Sequence, residues 1–190
     1  MTRIVTFLGK AKYLKEVIEK NKLTDVFIDR SYTIGEIYYE RGVNYHYMDT
    51  GIKYSPDEAT EIINRRIRIA KMLKEIVLRI NDNILFLDSD IIINDIENVL
   101  KQFENTDAPT TIAIPAKAKP TNFIVTFFQS TNFYLPLQWR PKLREVLDNY
   151  LNSQLYTTNP IDIYIHTQLQ SKTLYISGVC HYIDDVKICI

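Results

Sequence analysis

The spacing of apolar positions changes several times along the chain, and each change marks an element. Residues 3–8 form a short apolar run closed by Gly9 and Lys10, and residues 11–20 then carry Leu14, Val17 and Ile18 at helical spacing. This predicts a strand, a turn and a helix. The unit repeats: residues 25–29 read as a second strand, 33–41 as a short helix beginning after Ser31, and 44–48 as a third strand. Such alternation predicts a mostly parallel sheet with helices on its faces.

Ser55, Pro56, Asp57 and Glu58 form a helix start in which Ser55 can cap, Pro56 fits the first turn, and two acids favour the positive end of the helix dipole. Ile62, Arg66, Ile69, Leu73, Ile76 and Ile80 trace a helical stripe, so residues 57–80 form the longest expected helix. Asn81, Asp82 and Asn83 end it. Ile84, Leu85, Phe86 and Leu87 are continuously apolar, as expected of a central strand buried on both faces, and lead directly into Asp88, Ser89 and Asp90. Further on, helices are expected at 95–103, 141–151 and 160–170. Strands are expected at 110–114, 174–176 and 182–183, and residues 122–137 read as an extended, aromatic-rich stretch suited to antiparallel strands. With no repeat and no linker between halves, a single domain is the economical reading.

Composition narrows the function. A chain of 190 residues, 46% hydrophobic and 24% charged, can bury a sizeable core and is no disordered polyelectrolyte. Twenty-three basic residues balance twenty-three acidic ones, which argues against the electropositive surface that duplex nucleic acid requires. Without an apolar run near the ~20 residues of a membrane span, and with polar residues too early for a secretory leader, the chain is expected in the cytoplasm, the host's if it is viral. Abundant Ile, Lys and Glu with only five Gly suggest a thermophilic archaeon or one of its viruses. Cys180 and Cys189 are too few for a disulfide scaffold or a zinc module, and free thiols are expected because cytosolic disulfides are uncommon.

The chemistry concentrates after the central strand. Open α/β sheets bind ligands beyond the carboxyl ends of their strands, where Asp88 and Asp90 stand. In extended geometry the two side chains point the same way and can converge on a hard divalent cation such as Mg²⁺ or Mn²⁺, which neutralises a diphosphate. Asp-x-Asp alone is a common string, usually a solvated turn or cap. Here apolar runs at 84–87 and 91–93 flank it, and carboxylates so placed are hard to solvate unless they line a site.

With that strand and its Asp-x-Asp, the sequence resembles the GT-A family of nucleotide-diphospho-sugar glycosyltransferases. Residues 64–73, bearing Arg65 and Arg66, are similar to the arginine-bearing helix that precedes the metal strand in many relatives. The strand ending at Leu8 and Gly9 looks like the start of their nucleotide fold, and Asp29 falls where relatives place an acid on the base or ribose. The resemblance covers roughly the first 115 residues. It departs from many relatives by having Asn81, Asp82 and Asn83 where they have a Gly between helix and strand.

The resemblance implies a single α/β domain with a mostly parallel central sheet flanked by helices and a mixed C-terminal part. Residues 1–115 would bind the nucleotide sugar, and residues 116–190 would serve a glycan or protein acceptor. It further implies Mn²⁺ or Mg²⁺ held by Asp90 directly, by Asp88, which would reach the ribose or the metal, and by His181. Arg66 or Arg65 would approach the donor; a solvated helix face is the plainer account of either. An inverting transfer needs a general base, and Asp162, at a helix start after a polar loop, is the candidate, with Asp148 a weaker one. Asp162 could instead only stabilise its helix end, and His181 could hydrogen-bond locally. His166, one turn after Asp162, could orient that acid or simply pack, and His46 reads as structural. Tyr134 and Trp139, in an expected loop, are the aromatics singled out for sugar contact.

Two other readings compete. Haloacid-dehalogenase-like phosphatases also use Asp-x-Asp after an apolar strand, with Asp88 as nucleophile and Asp184 and Asp185 as the later acidic pair, although their motif occupies an early strand. A non-catalytic nucleotide-sugar-binding module is the third.

Overall fold

The computed structural model describes residues 1–118 and 124–190, with residues 125–130 described by their backbone alone. The elements are β1 (Thr2–Leu8), α1 (Leu14–Asn21), β2 (Asp25–Asp29), β3 (Asn44–Met48), α2 (Glu58–Arg79), β4 (Asn83–Phe86), β5 (Ile91–Ile93), α3 (Ile96–Phe103), β6 (Thr110–Lys117), β7 (Ile124–Leu135), α4 (Arg140–Asn152), α5 (Ile161–Leu169), β8 (Lys172–Leu174), β9 (Val179–Ile183) and β10 (Val186–Cys189). Seven strands form one sheet in the order β3-β2-β1-β4-β7-β6-β8. Only β7 runs antiparallel to its neighbours, so the sheet is mostly parallel, as expected. A smaller antiparallel sheet, β10-β9-β5, forms the mixed part. The large sheet is continuous across residue 115, which lies within β6.

β4 lies between β1 and β7, and Ile84, Leu85 and Phe86 are wholly buried. Alternation along β1 assigns its side chains to two cores. Ile4 and Leu8 join Leu85 beneath α1, α3 and β5, while Val5 and Phe7 join Ile84 and Phe86 beneath α2, α4 and α5. With both faces covered, the carboxyl ends of β1, β2 and β4 are left to form a site.

α2 begins at Glu58 with Asp57 as its cap, not Ser55: the Asp57 side chain accepts from Thr60 N. Residues 33–41, expected as a helix, contain none. Their backbone instead extends the edge of the loop after β1. Ile34 N donates to Gly9 O at 2.9 Å, Ala11 N donates to Ile34 O at 3.1 Å, and Gly35 turns at φ +97°, a conformation that ends helical continuation. The antiparallel reading of 122–137 holds for β7, while Asn122 and Phe123 lie outside the described residues. Of the expected late strands, 182–183 falls within β9 and Leu174 closes β8, whereas residues 175–176 lie outside any strand. Among the described residues no helix is long and apolar enough to cross a membrane.

The cysteines are not free thiols: Cys180 and Cys189 form a disulfide. They are paired directly across the β9–β10 hairpin, with Cα atoms 4.0 Å apart, so register decides the matter where redox base rates pointed the other way. Closing a loop of about ten residues stabilises by about 2–3 kcal/mol on the chain-entropy model. Cys189→Ser, or reduction, should therefore lower the melting temperature by about 5–10 °C, read by circular dichroism.

Candidate functional site

Strand geometry persists one residue beyond β4, since Leu87 N donates to Val5 O at 2.9 Å. The chain then turns, with Ile91 N donating to Asp88 O at 3.2 Å, and enters β5 of the small sheet. Asp88 and Asp90 therefore stand in a turn and not in an extended pair, and their carboxylates face different partners. Asp88 faces back onto β7: its N donates to Asn132 Oδ1 at 2.9 Å, and its Oδ2 accepts from Asn132 Nδ2 at 3.0 Å. Burial, and then the charge of Asp90, push the Asp88 carboxyl up, against hydrogen bonds from the Thr131 and Asn132 side chains and the positive charge of Arg65.

Asp90 is more open. Its Oδ2 lies 3.3 Å from His181 Nε2, and Tyr182 N donates to its carbonyl, so β9 brings the histidine to it. His181 Nδ1 lies 2.6 Å from the Pro115 carbonyl, an acceptor only, so Nδ1 carries the hydrogen and Nε2 is turned to Asp90. Burial pulls this imidazole down, but the hydrogen bond and charge of Asp90, the Pro115 carbonyl and the charge of Asp88 outweigh it, and the net direction is up. Among the described residues no three of His, Cys, Asp and Glu form a ready metal cage. The structure thus brings Asp90 and His181 together and sets Asp88 beside them.

The loop after β1 borders this turn: Ser89 Oγ donates to Lys10 O at 3.3 Å. The Leu8 side chain is core, and its carbonyl accepts from Thr33 Oγ1. Gly9 lies so close to Tyr32 that a Cβ there would stand 3.1 Å from the ring. Asp29 is wholly buried, and its carboxylate takes hydrogen bonds from Ser31 N, Ser31 Oγ, Thr50 N and Thr50 Oγ1, so it ties together the loops after β2 and β3.

Three arginines of α2 differ in what holds them. Arg66 Nη1 donates to Tyr156 O at 2.9 Å, whereas Arg65 is exposed and close enough to act on Asp88. Arg68 was missed by sequence reasoning. Its guanidinium lies 3.4 Å from the Tyr32 ring centroid and pairs with Glu61 at 3.1 Å, while its buried Nη1 has no hydrogen-bond partner among the described residues. Its position one helical turn after Arg65 was the available signal.

Asp162 is half-buried in the first turn of α5. Burial pushes the Tyr150 phenol up to about 12, opposed by the charge of Arg66 and reinforced by that of Asp162, so these two flank it. Asp148 pairs with Lys74 at 2.5 Å. His46 is structural, bonded to buried Asp25 and stacked on Phe27. His166 packs edge-on against Phe133 and bonds Ser171 Oγ through Nδ1.

Both aromatics singled out for sugar contact are elsewhere. Tyr134 is a buried strand residue, paired with Leu85 and stacked on Phe103. Trp139 donates to Asp107 O in a turn that also bonds Asn83, at the amino end of β4, the opposite end from Asp88. The expected loop holds only for Trp139, since β7 runs through Tyr134 to Leu135. Asp184 and Asp185 form the two-residue turn of the β9–β10 hairpin, both at positive φ, and pair with Lys117 and Lys12.

The chain is 38% identical over 238 aligned residues, with full coverage of both chains, to "Uncharacterized protein ORF238" of Acidianus filamentous virus 2. It belongs to the family of that viral protein. It is also 27% identical to "Uncharacterized protein 209" of Sulfolobus islandicus rod-shaped virus 1, over 95% of this chain and 81% of the other. No protein-family model matches. Among solved structures it is similar to a Bacillus anthracis protein described as a glucose-1-phosphate thymidylyltransferase, crystallised with sucrose. The TM-score is 0.50 at 10% identity, covering 95% of this chain and 89% of that one. The chain thus shares the fold of that thymidylyltransferase-like protein.

Within this fold, burial holds His166 near a pKa of about 4, against an ordinary 6.5. The unfolded chain takes up the proton first, so stability should be lost as pH falls from about 6.5 towards 4, by about 2–3 kcal/mol at pH 4.5. Urea unfolding of wild type and His166→Gln at pH 7 and 4.5 should show a smaller acid loss in the variant.

Proposed function

We propose that this chain is a metal-dependent glycosyltransferase that moves a sugar from a nucleotide-diphosphate donor to a hydroxyl of a glycan or protein acceptor. The observation that carries the reading is the Asp90–His181 pair at the carboxyl end of the central strand. With Nδ1–H directed at the Pro115 carbonyl, Nε2 is left facing the Asp90 carboxylate, and in the neutral imidazole it would offer its lone pair to a cation held by that carboxylate. A backbone carbonyl that fixes the tautomer in this way is the usual support of a metal-binding histidine. The oxygen and nitrogen donors fit Mn²⁺, and the carboxylates alone suit Mg²⁺. Asp90 and His181 would hold the cation, with Asp88 beside them. A cation there supplies charge neutralisation for the departing diphosphate.

The remaining residues have separable roles. Arg65, exposed near Asp88, would face the donor phosphates. Arg68 Nη1, buried without a partner among the described residues, would be met by an acceptor atom of the donor, because an unpaired buried N–H costs about 1–3 kcal/mol. Gly9 and Tyr32 would form the floor beneath it. Asp162 would take the proton from the acceptor hydroxyl as general base.

Nucleotidyl transfer is the second reading, favoured by the fold shared with a protein described as a thymidylyltransferase. The products separate the two: nucleoside diphosphate for sugar transfer, pyrophosphate for nucleotidyl transfer. The phosphatase reading loses its later acidic pair, since Asp184 and Asp185 are committed to a hairpin turn.

A thermal-shift panel of UDP-, GDP- and TDP-sugars with and without Mn²⁺ should single out one donor whose stabilisation requires the metal. Asp90→Asn should abolish that metal-dependent increment and the turnover while leaving the fold intact; undiminished turnover would remove the metal role. Asp162→Asn should retain donor binding and lower transfer by about 10²- to 10⁴-fold. Donor and Mn²⁺ binding without any turnover by the wild type would leave a binding module.

A further inference from the structure

β7 shifts register against β6: Thr111 is opposite Phe133, but Ala113 is already opposite Phe128. Irregularities of this kind bend a strand and re-aim its side chains, often beside functional sites. The shift falls next to Thr131 and Asn132, both buried, where β7 passes the exit of β4. The β4–β7 ladder ends at Phe86 opposite Phe133. From there a side chain takes over the pairing, with Asn132 Oδ1 accepting from Asp88 N at 2.9 Å and Nδ2 donating to Asp88 Oδ2 at 3.0 Å. Only one orientation of the amide satisfies both bonds, since the backbone N–H needs an oxygen and the carboxylate needs an N–H. The amide is wholly buried, so water does not reach Asn132 itself.

We propose that Asn132 is a positioning residue that locks the Asp88 carboxylate in one orientation within the turn, so that the site meets its cation and diphosphate pre-formed. This rests on the metal-dependent reading above. Asp88 is then the fixed arm of the site, and Asp90, which is more exposed and held by one histidine, is the arm free to adjust. A backbone pairing could hold the turn but could not orient the carboxylate; the amide does both because it presents donor and acceptor 2.9–3.0 Å from the two groups of a single residue.

The test measures the Mn²⁺ dissociation constant, with and without the donor selected by the thermal-shift panel, for wild type, Asn132→Ala and Asn132→Ser. Calorimetry is run well below each melting temperature, where every variant is folded by circular dichroism. Loss of an outer partner of a metal ligand typically weakens metal affinity 10- to 100-fold, and that loss is expected for Asn132→Ala. Asn132→Ser keeps an acceptor for Asp88 N and carries the same comparison if the alanine variant does not fold. A merely structural Asn132 would lower the melting temperature and leave the dissociation constant of the folded protein unchanged, which would overturn the proposal while the wild type still bound Mn²⁺. Absence of Mn²⁺ binding by the wild type itself would instead overturn the metal-dependent reading and this inference with it.

Discussion

A strand buried on both faces can leave its sheet only where the polar groups at its exit find partners. β4 meets this constraint in the middle of the large sheet, with its side chains in two separate cores. Leu87 N still reaches β1, but Asp88 brings both an N–H and a carboxylate to a place where water is scarce. Leaving either unpaired would cost on the order of 1–3 kcal/mol, and more for the charge. The partner is an amide from β7, the one antiparallel strand inserted beside β4. The same insertion separates β4 from the β6–β8 edge, so the mixed topology and the polar exit are one solution.

A similar device fastens the small sheet. Asn21, at the end of α1, donates to Ile91 O and accepts from Ile93 N, so a buried amide again stands in for a neighbouring strand. β5 thereby anchors β9, and β9 carries His181 to Asp90. The hairpin's ion pairs, Lys117 with Asp184, Lys12 with Asp185 and Lys187 with Glu16, include exposed side chains, and water and salt screen exposed pairs of this kind so that they contribute little. What holds the histidine in place is therefore the buried base of the hairpin, Val179 and Cys180 packed on β5, with the disulfide closing the pair.

Much of this was legible in the sequence because burial leaves a periodic mark. The run at 84–87 announced a central strand, the stripe from Ile62 to Ile80 announced α2, and the βαβ alternation announced the parallel sheet. The turn of Asp88 and Asp90 was legible as a place but not as a geometry. Its partners come from 44 residues further on in β7 and from the last hairpin, and no local pattern records a side-chain amide replacing a ladder bond. Residues 33–41 misled because a few apolar positions resemble a short helix even when the backbone is bonded to another loop. Tyr134 misled because an aromatic just before Pro136 suggests a loop, while in β7 Phe133 and Tyr134 alternate into the two cores. Arg68 was hidden by its neighbours, since three arginines within four residues do not reveal which one turns inward.

Hydrogen-bond saturation distinguishes the two acids at strand ends, Asp29 wholly buried and Asp88 half-buried. Asp29 and Asp88 both close a parallel strand at the carboxyl edge, and by position either could serve a ligand. A carboxylate can accept about four hydrogen bonds. Asp29 takes four, all from Ser31 and Thr50, and its work is complete within the fold. Asp88 takes side-chain bonds from Thr131 and Asn132 and faces a second carboxylate, an arrangement whose like charges are left for something else to balance. Arg65 acts on it from an exposed position, and His181 is directed at Asp90 rather than at Asp88. The two neighbouring carboxylates at the turn after β4, unlike the saturated Asp29, are thus the acids that the proposed cation would draw together.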